Sequence, residues 1–244
     1  MDELLKLFTF KNETATSADL YFYGDIVSDW WGAWQDEDQY PDSVKNFLAA
    51  HQGKDLNIYI NSGGGSVFAG IAIYNMIKRH QGKKTVYVDA LAGSIASVIA
   101  FAGDRVVIPS NSFLMIHKPW SECIGNAGEM RKMADDLEAI ESGIVNIYEE
   151  HLKDGVSIET VKEMMAAETW LNGQQAAEYF NVEIGEEKMI AAAVTENTRK
   201  FCKTIPDAVL AQKRAEEKAL AEKKDQETRN QITKIAIAGI AAAI

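Results

Sequence analysis

The stretch KTVYVDALAGSIASVIAFAGD, residues 84–104, limits the possible folds more than any other part of this chain. Its first half, Lys84 to Gly93, is almost continuously apolar and rich in β-branched residues. A strand buried on both faces of a parallel sheet reads this way. Parallel strands need crossover connections, most often helices, so this one segment implies an α/β architecture. Its second half is built from Gly, Ala, Ser and Ile and reads as a helix entered through a tight turn. A serine at such a strand-to-helix switch, Ser94 or Ser97, has an exposed hydroxyl beside helix-terminal N–H groups, the local setting for attack on a carbonyl. Most serines in this position merely cap a helix, so the rest of the chain must supply the other parts of a site.

The flanking sequence repeats the alternation. Ala18 to Val27 (ADLYFYGDIV) reads as a strand, and SVKNFLAAHQ as a short helix capped by Asp42 or Ser43. DLNIYINS reads as a second strand, stopping at Ser62. Gly63, Gly64 and Gly65 then open a helix with Val67, Ile71, Tyr74 and Ile77 at helical spacing. After the central strand and helix, DRVVIPSNSFLMIHKP supplies two short strands and His117. Gly125 to Leu152 is a long amphipathic helix, written by Met130, Met133, Leu137, Ile140, Ile144, Ile147 and Leu152. Two short helices around Glu168 and a closing strand complete the body. Trp30, Trp31 and Trp34 read as an aromatic corner covering the core edge, with a partner-docking patch as the alternative.

With 244 residues, 47% of them hydrophobic, the chain can bury one substantial core and carry an appendage. The boundaries read as an N-terminal arm over 1–17, a catalytic body over 18–194 and an extension over 195–244. A net charge of −11 excludes a general nucleic-acid binder, because nothing would offset phosphate repulsion. The two cysteines, Cys123 and Cys202, show no metal-ligand spacing, and a reducing cytoplasm suits them. MDELLKLFTF lacks the features of a signal peptide. No apolar run reaches the roughly 18–20 residues of a membrane span. The extension carries ten Lys and Arg against seven Asp and Glu, a net of +3, beside −14 for the body. From Thr204 it reads as a charged helix, and its last segment, IAIAGIAAAI, as a surface that packs on another subunit.

A serine hydroxyl needs a base, and the base needs a group that stabilises its charged form. His51 and His80 lie at polar helix ends and His151 closes the amphipathic helix. His117 alone follows a tight apolar strand, FLMI, and precedes a proline that fixes the exit. Backbone N–H groups of the glycine run, Gly64 among them, suit a developing oxyanion. The run lacks both the GK[ST] ending of a P-loop and the GxGxxG spacing of a dinucleotide site.

INSGGGSVFAGIAIYNMI, GSIASVIAFAGDRVVIPSNSFLMIHKP and ETWLNGQQAAEYFNVE, in that order, resemble the Clp protease proteolytic-subunit family over about residues 18–190. The YFYGDIVSDWW opening and the short loop after the serine are similar to the family's branch of bacteriophage head maturation (prohead) proteases. The resemblance implies an α/β fold of the Clp-peptidase and crotonase-like type, with repeated β-β-α units, a protruding handle helix over Gly125 to Leu152 and a helical C-terminal tail. It places the nucleophile on Ser97, the base on His117 and the acid on Glu168, where the family usually has aspartate. It implies oxyanion donors at Gly64 and Val98, and substrate strands along Gly65, Ser66 and Val67 and along Lys118, Pro119 and Trp120. Gly63 stands where the family usually has proline. The implied activity is that of a serine endopeptidase needing no metal or nucleotide. The implied partners are further copies of itself in stacked rings, polypeptide substrates such as capsid, scaffold or portal proteins, and an ATP-dependent unfoldase.

Overall fold

The computed structural model describes residues 14–33, 37–187 and 192–211, with 214 and 218. Residues 1–13 of the arm expected over 1–17, Trp34 and the final apolar segment lie outside the described residues. Seven strands form one sheet. They are β1 (Ser17–Phe22), β2 (Asp55–Ser62), β3 (Lys84–Gly93), β4 (Arg105–Pro109), β5 (Phe113–Ile116), β6 (Thr169–Asn172) and β7 (Glu183–Gly185). Every pairing is parallel except that of β5 with β6.

The expected buried strand is the spine of this sheet. β3 pairs with β2 on one side, while on the other its start meets β4 and its end meets β5. Its last six residues are all buried, which is why the sequence there shows no polar alternation. The β2–β3 register shifts between Ile60 and Ser62, so that Ser62 pairs with Ala92. That irregularity brings the glycine loop after β2 over the end of β3.

Helices α1 (Pro41–Ala50), α2 (Val67–Arg79) and α3 (Ile95–Ala100) cover the sheet through Val44, Ile73, Ile77 and Ile99, which pack on Ile58, Ile60, Val86 and Val88 in one core. α4 (Ala127–Glu149) is capped by Asn126, whose side chain accepts from the N–H groups of Gly128 and Glu129, and buries only Ile144, Val145 and Tyr148 at its C-terminal end. Ile140 and Ile147 pack against the core from its side, and Met130 near its other end is 50% exposed. α5 (Ile158–Ala167) and α6 (Gly173–Tyr179) flank β6.

Four local expectations change. The first strand ends at Phe22 and not Val27, because Gly24 lies against Glu37 and Asp38, and the Asp25 N–H donates to the Asp38 carboxylate at 2.9 Å, turning the chain. α1 starts at Pro41, a residue suited to the first helical position, with Tyr40 at the N-cap in place of Asp42 or Ser43. Trp30 and Trp31 cover no core; they stand out at 58% and 73% exposure in a short 3-10 turn capped by Asp29. β6 lies between the two helices that flank Glu168, a strand that four residues are too few to announce.

Beyond the expected boundary at Val194 the chain folds back onto the body. Ala192, Val194 and Val209 share a second apolar cluster with Ala90, Leu91 and Met115. α7 (Glu196–Phe201) follows, and residues 207–211 are helical; the remainder of the charged helix expected from Thr204 lies largely outside the described residues.

Phe101 closes the first core, with its ring 5.0 Å from His151, 5.1 Å from Phe180 and 5.9 Å from Tyr148. Phe101→Ala is expected to lower unfolding stability by about 3–5 kcal/mol in a denaturant titration.

Candidate active site

Ser94 follows β3 and caps the start of α3. It has φ 53°, and it and Glu168 are the only non-glycine residues with positive φ among those described. The left-handed region is costly for a residue with a Cβ, and it persists where the surroundings hold it. Two contacts hold it here. The Ser94 N–H donates to the Met115 carbonyl on β5 at 2.8 Å, and Gly64 (φ 100°) lies so close that a Cβ there would sit 2.7 Å from both the Ser94 Cβ and the Gly93 oxygen. Glycine is required at 64 on both counts.

β5 delivers His117 to the same corner. Its Nε2 lies 2.7 Å from the Ser94 Oγ. Burial pushes its pKa below the ordinary 6.5; the nearby Glu168 carboxylate acts in the opposite sense, and the Lys203 ammonium adds to the lowering. The imidazole is therefore neutral at pH 7, the form in which Nε2 can accept a hydroxyl proton.

Ser97, the expected nucleophile, does not reach His117. It is fully buried one turn into α3, where its hydroxyl lies 2.5 Å from the Ser94 carbonyl and 2.7 Å from the Tyr148 hydroxyl on α4. α3 begins at Ile95, so the serine at the helix entrance is Ser94, and Ser97 faces inward. The signal lay in the Gly93-Ser94 pair at the end of the apolar run, which marks the turn itself.

The oxyanion expectation shifts with it. The Gly64 N–H already donates to the Ser62 Oγ at 3.1 Å, and Val98 lies a turn beyond Ser94 inside α3. The N–H groups of Gly65 and of Ile95, the residue after Ser94, donate to no group among the described residues.

Glu168 caps α5 at φ 55°. Its carboxylate is near enough to influence His117, yet it accepts hydrogen bonds from the backbone N–H groups of Lys203 at 2.9 Å and Thr204 at 3.1 Å and none from His117.

A cleft of about 440 Å³ opens on Ser94 and His117, lined by Ile26, Gly65, Ser66, Val67, Pro119 and Trp120 among others. Ile26 pairs with Gly65 as an isolated parallel bridge, forming one wall. Lys118, also expected here, turns away: its ammonium pairs with Glu141 on α4 at 3.0 Å and its N–H donates to the Met165 carbonyl. A second, tighter recess of about 10 Å³ beside Ser94 is lined by Val67, Ile95, Val98, Pro119, Ile144 and Tyr148. Cys202 also lines the cleft, but burial, reinforced by the Glu168 charge, pushes its thiol up to about 12, so it stays protonated. The remaining histidines are structural: His51 and His80 each contact a backbone carbonyl at 2.7 Å, and His151 stacks on Phe101.

A largely parallel sheet with a strained serine at a helix entrance, facing a half-buried neutral histidine, defines a class of α/β protein with a poised hydroxyl. The Clp protease family profile matches residues 36–183, and the chain belongs to that family. Relatives include the ATP-dependent Clp protease proteolytic subunit of Bacteroides fragilis, 33% identical over 130 residues that cover 52% of this chain and 61% of the relative. That of Chlorella vulgaris is 34% identical over 134 residues, covering 54% of this chain and 65% of the relative. Proteolytic subunit 1 of Streptomyces avermitilis is 30% identical over 150 residues, covering 60% and 68%. The chain thus spans about three fifths of the length of the first two relatives.

Because burial outweighs the Glu168 charge at His117, an NMR titration of the His117 ring protons is expected to give a midpoint below 6.5. A midpoint above that value would mean that the carboxylate dominates.

Proposed function

We propose that this protein is a serine endopeptidase in which Ser94 is the nucleophile, His117 the base and Glu168 the acid. The observation that carries the reading is the 2.7 Å contact between the His117 Nε2 and the Ser94 Oγ at the mouth of a cleft. His117 takes the Ser94 proton as the oxygen attacks a peptide carbonyl, and the imidazolium then protonates the leaving amine. The unpartnered N–H groups of Gly65 and Ile95 receive the oxyanion. Water releases the acyl-enzyme by the same proton transfers in reverse. The recess lined by Val67, Ile95 and Ile144, at about 10 Å³, leaves room beside Ser94 for no more than a methyl-sized group. The substrate lies along Gly65, Ser66 and Val67 and across Pro119 and Trp120.

The relatives' names favour a self-associating peptidase that works with an ATP-dependent partner. Met130, exposed near the outer end of α4, suits a handle between rings. Processing of capsid, scaffold or portal proteins during phage head assembly is the second setting. It rests on the YFYGDIVSDWW opening and the short segment between the serine and His117. The domain reading is a peptidase body to residue 194 followed by an extension that regulates or docks, within a cytoplasmic protein. Among the described residues no helix is long and apolar enough to cross a membrane.

A fluorophosphonate probe is expected to label Ser94 in the wild type. Ser94→Ala should abolish labelling and lower peptide turnover by on the order of 10⁶-fold. Ser97→Ala should retain labelling and lose about 1–2 kcal/mol of stability, because the buried Tyr148 hydroxyl loses its partner. Labelling that follows Ser97 instead would reverse the assignment. Digestion of a folded substrate only when a Clp ATPase and ATP are added would support the ATPase-coupled setting; cleavage of head proteins without one would support the second.

A further inference from the structure

We infer that residues 192–204 form a latch that holds this site at rest by taking the Glu168 carboxylate away from His117. The inference rests on the reading of Ser94, His117 and Glu168 as a triad. An acid that orients the base accepts the histidine's second ring N–H. Here both Glu168 oxygens are held instead by the backbone N–H groups of Lys203 and Thr204, at 2.9 and 3.1 Å, and His117 donates nothing to them. The same segment brings the Lys203 ammonium close enough to disfavour the imidazolium that turnover requires.

The segment is seated from the opposite side of the cleft as well. The Thr195 hydroxyl donates to one oxygen of Asp25 at 2.9 Å and the Asn197 amide to the other at 2.5 Å, while the Ala193 N–H donates to the Asn61 side chain at 2.8 Å. Between these anchors Thr198 packs directly on Gly63, where an added Cβ would lie 2.0 Å from the Thr198 Oγ1. Any side chain at 63, next to the glycine that abuts Ser94, would force the Thr198 side chain to shift. Asn197 and Cys202 contribute to the cleft wall. The segment thus runs from Asp25 across the glycine loop to Glu168. Its departure frees the carboxylate to turn toward the His117 Nδ1.

Full-length wild type is compared with two unlatched forms and with Ser94→Ala. Thr204→Pro deletes one N–H donor to Glu168, and the double variant Thr195→Ala, Asn197→Ala releases the Asp25 anchor without touching the triad. Hydrolysis of a fluorogenic peptide with an apolar residue before the cut, and the rate of fluorophosphonate labelling, are measured at equal oligomer size and checked melting temperature. Both unlatched forms are expected to turn over on the order of ten-fold faster than wild type, as a shift away from a resting population gives. If Thr204→Pro does not fold, the double variant decides. Equal or slower hydrolysis with labelling still confined to Ser94 would overturn the latch and leave the triad, assigning the segment a positioning role instead. Hydrolysis and labelling that survive Ser94→Ala would overturn both.

Discussion

The close approach of Gly64 to Ser94 is the constraint on which the site depends. Ser94 can occupy a left-handed conformation only while something fixes the backbone on both sides of it. Behind it, β3 is clamped between β2 and β5, and the Ser94 N–H is fixed to Met115. Above it, the glycine loop lies where no Cβ could be accommodated. That loop is itself positioned by the register shift in β2, by Ile26, whose N–H donates to the Gly64 carbonyl at 2.8 Å, and by the Ser62 hydroxyl, which donates to the Gly24 carbonyl at 2.6 Å. Four separate segments thus converge on one serine, and each is tied down by backbone hydrogen bonds rather than by long side chains with rotamer freedom to lose.

The strands and helices that build this frame are legible in the sequence because burial writes itself into composition. β3 lacks polar alternation, α2 carries the expected Tyr74 and Ile77 into the core with Val67 and Ile71 half-buried beside it, and the FLMI strand ahead of His117 is apolar throughout. His117 could be found because strand, histidine and proline follow one another without a gap. Ser94 and Ser97 could not be separated in the same way. Both are small polar residues among Gly and Ala, three positions apart, and the difference between them is where the first helical turn begins. A hydrogen bond across 23 residues pairs His117 with Ser94, and no local pattern contains it. The proposed oxyanion donors differ from the expected pair for the same reason: α3 begins at Ile95 and places Val98 inside the helix.

Glu168 shows a different limit. The residue is where motif order puts it, at the end of α5, but its partners come from Lys203 and Thr204, 35 and 36 positions downstream in a segment whose composition suggests only a charged tail. Composition reads the average character of such a segment; it does not register that Val194 and Val209 are apolar at the points where they meet Leu91 and Met115. Small stretches of burial inside a polar region are the part of a fold that periodicity reports least well.

Ser97, which contacts Tyr148 and not His117, links two elements of the fold. Its hydroxyl joins the Ser94 carbonyl to the Tyr148 hydroxyl, and Tyr148 is fixed in the buried end of α4 while the other end of that helix projects away from the core. A long rigid rod gripped at one end is a lever. Two hydrogen bonds through Ser97 thus join the buried end of that rod to the peptide unit of Ser94.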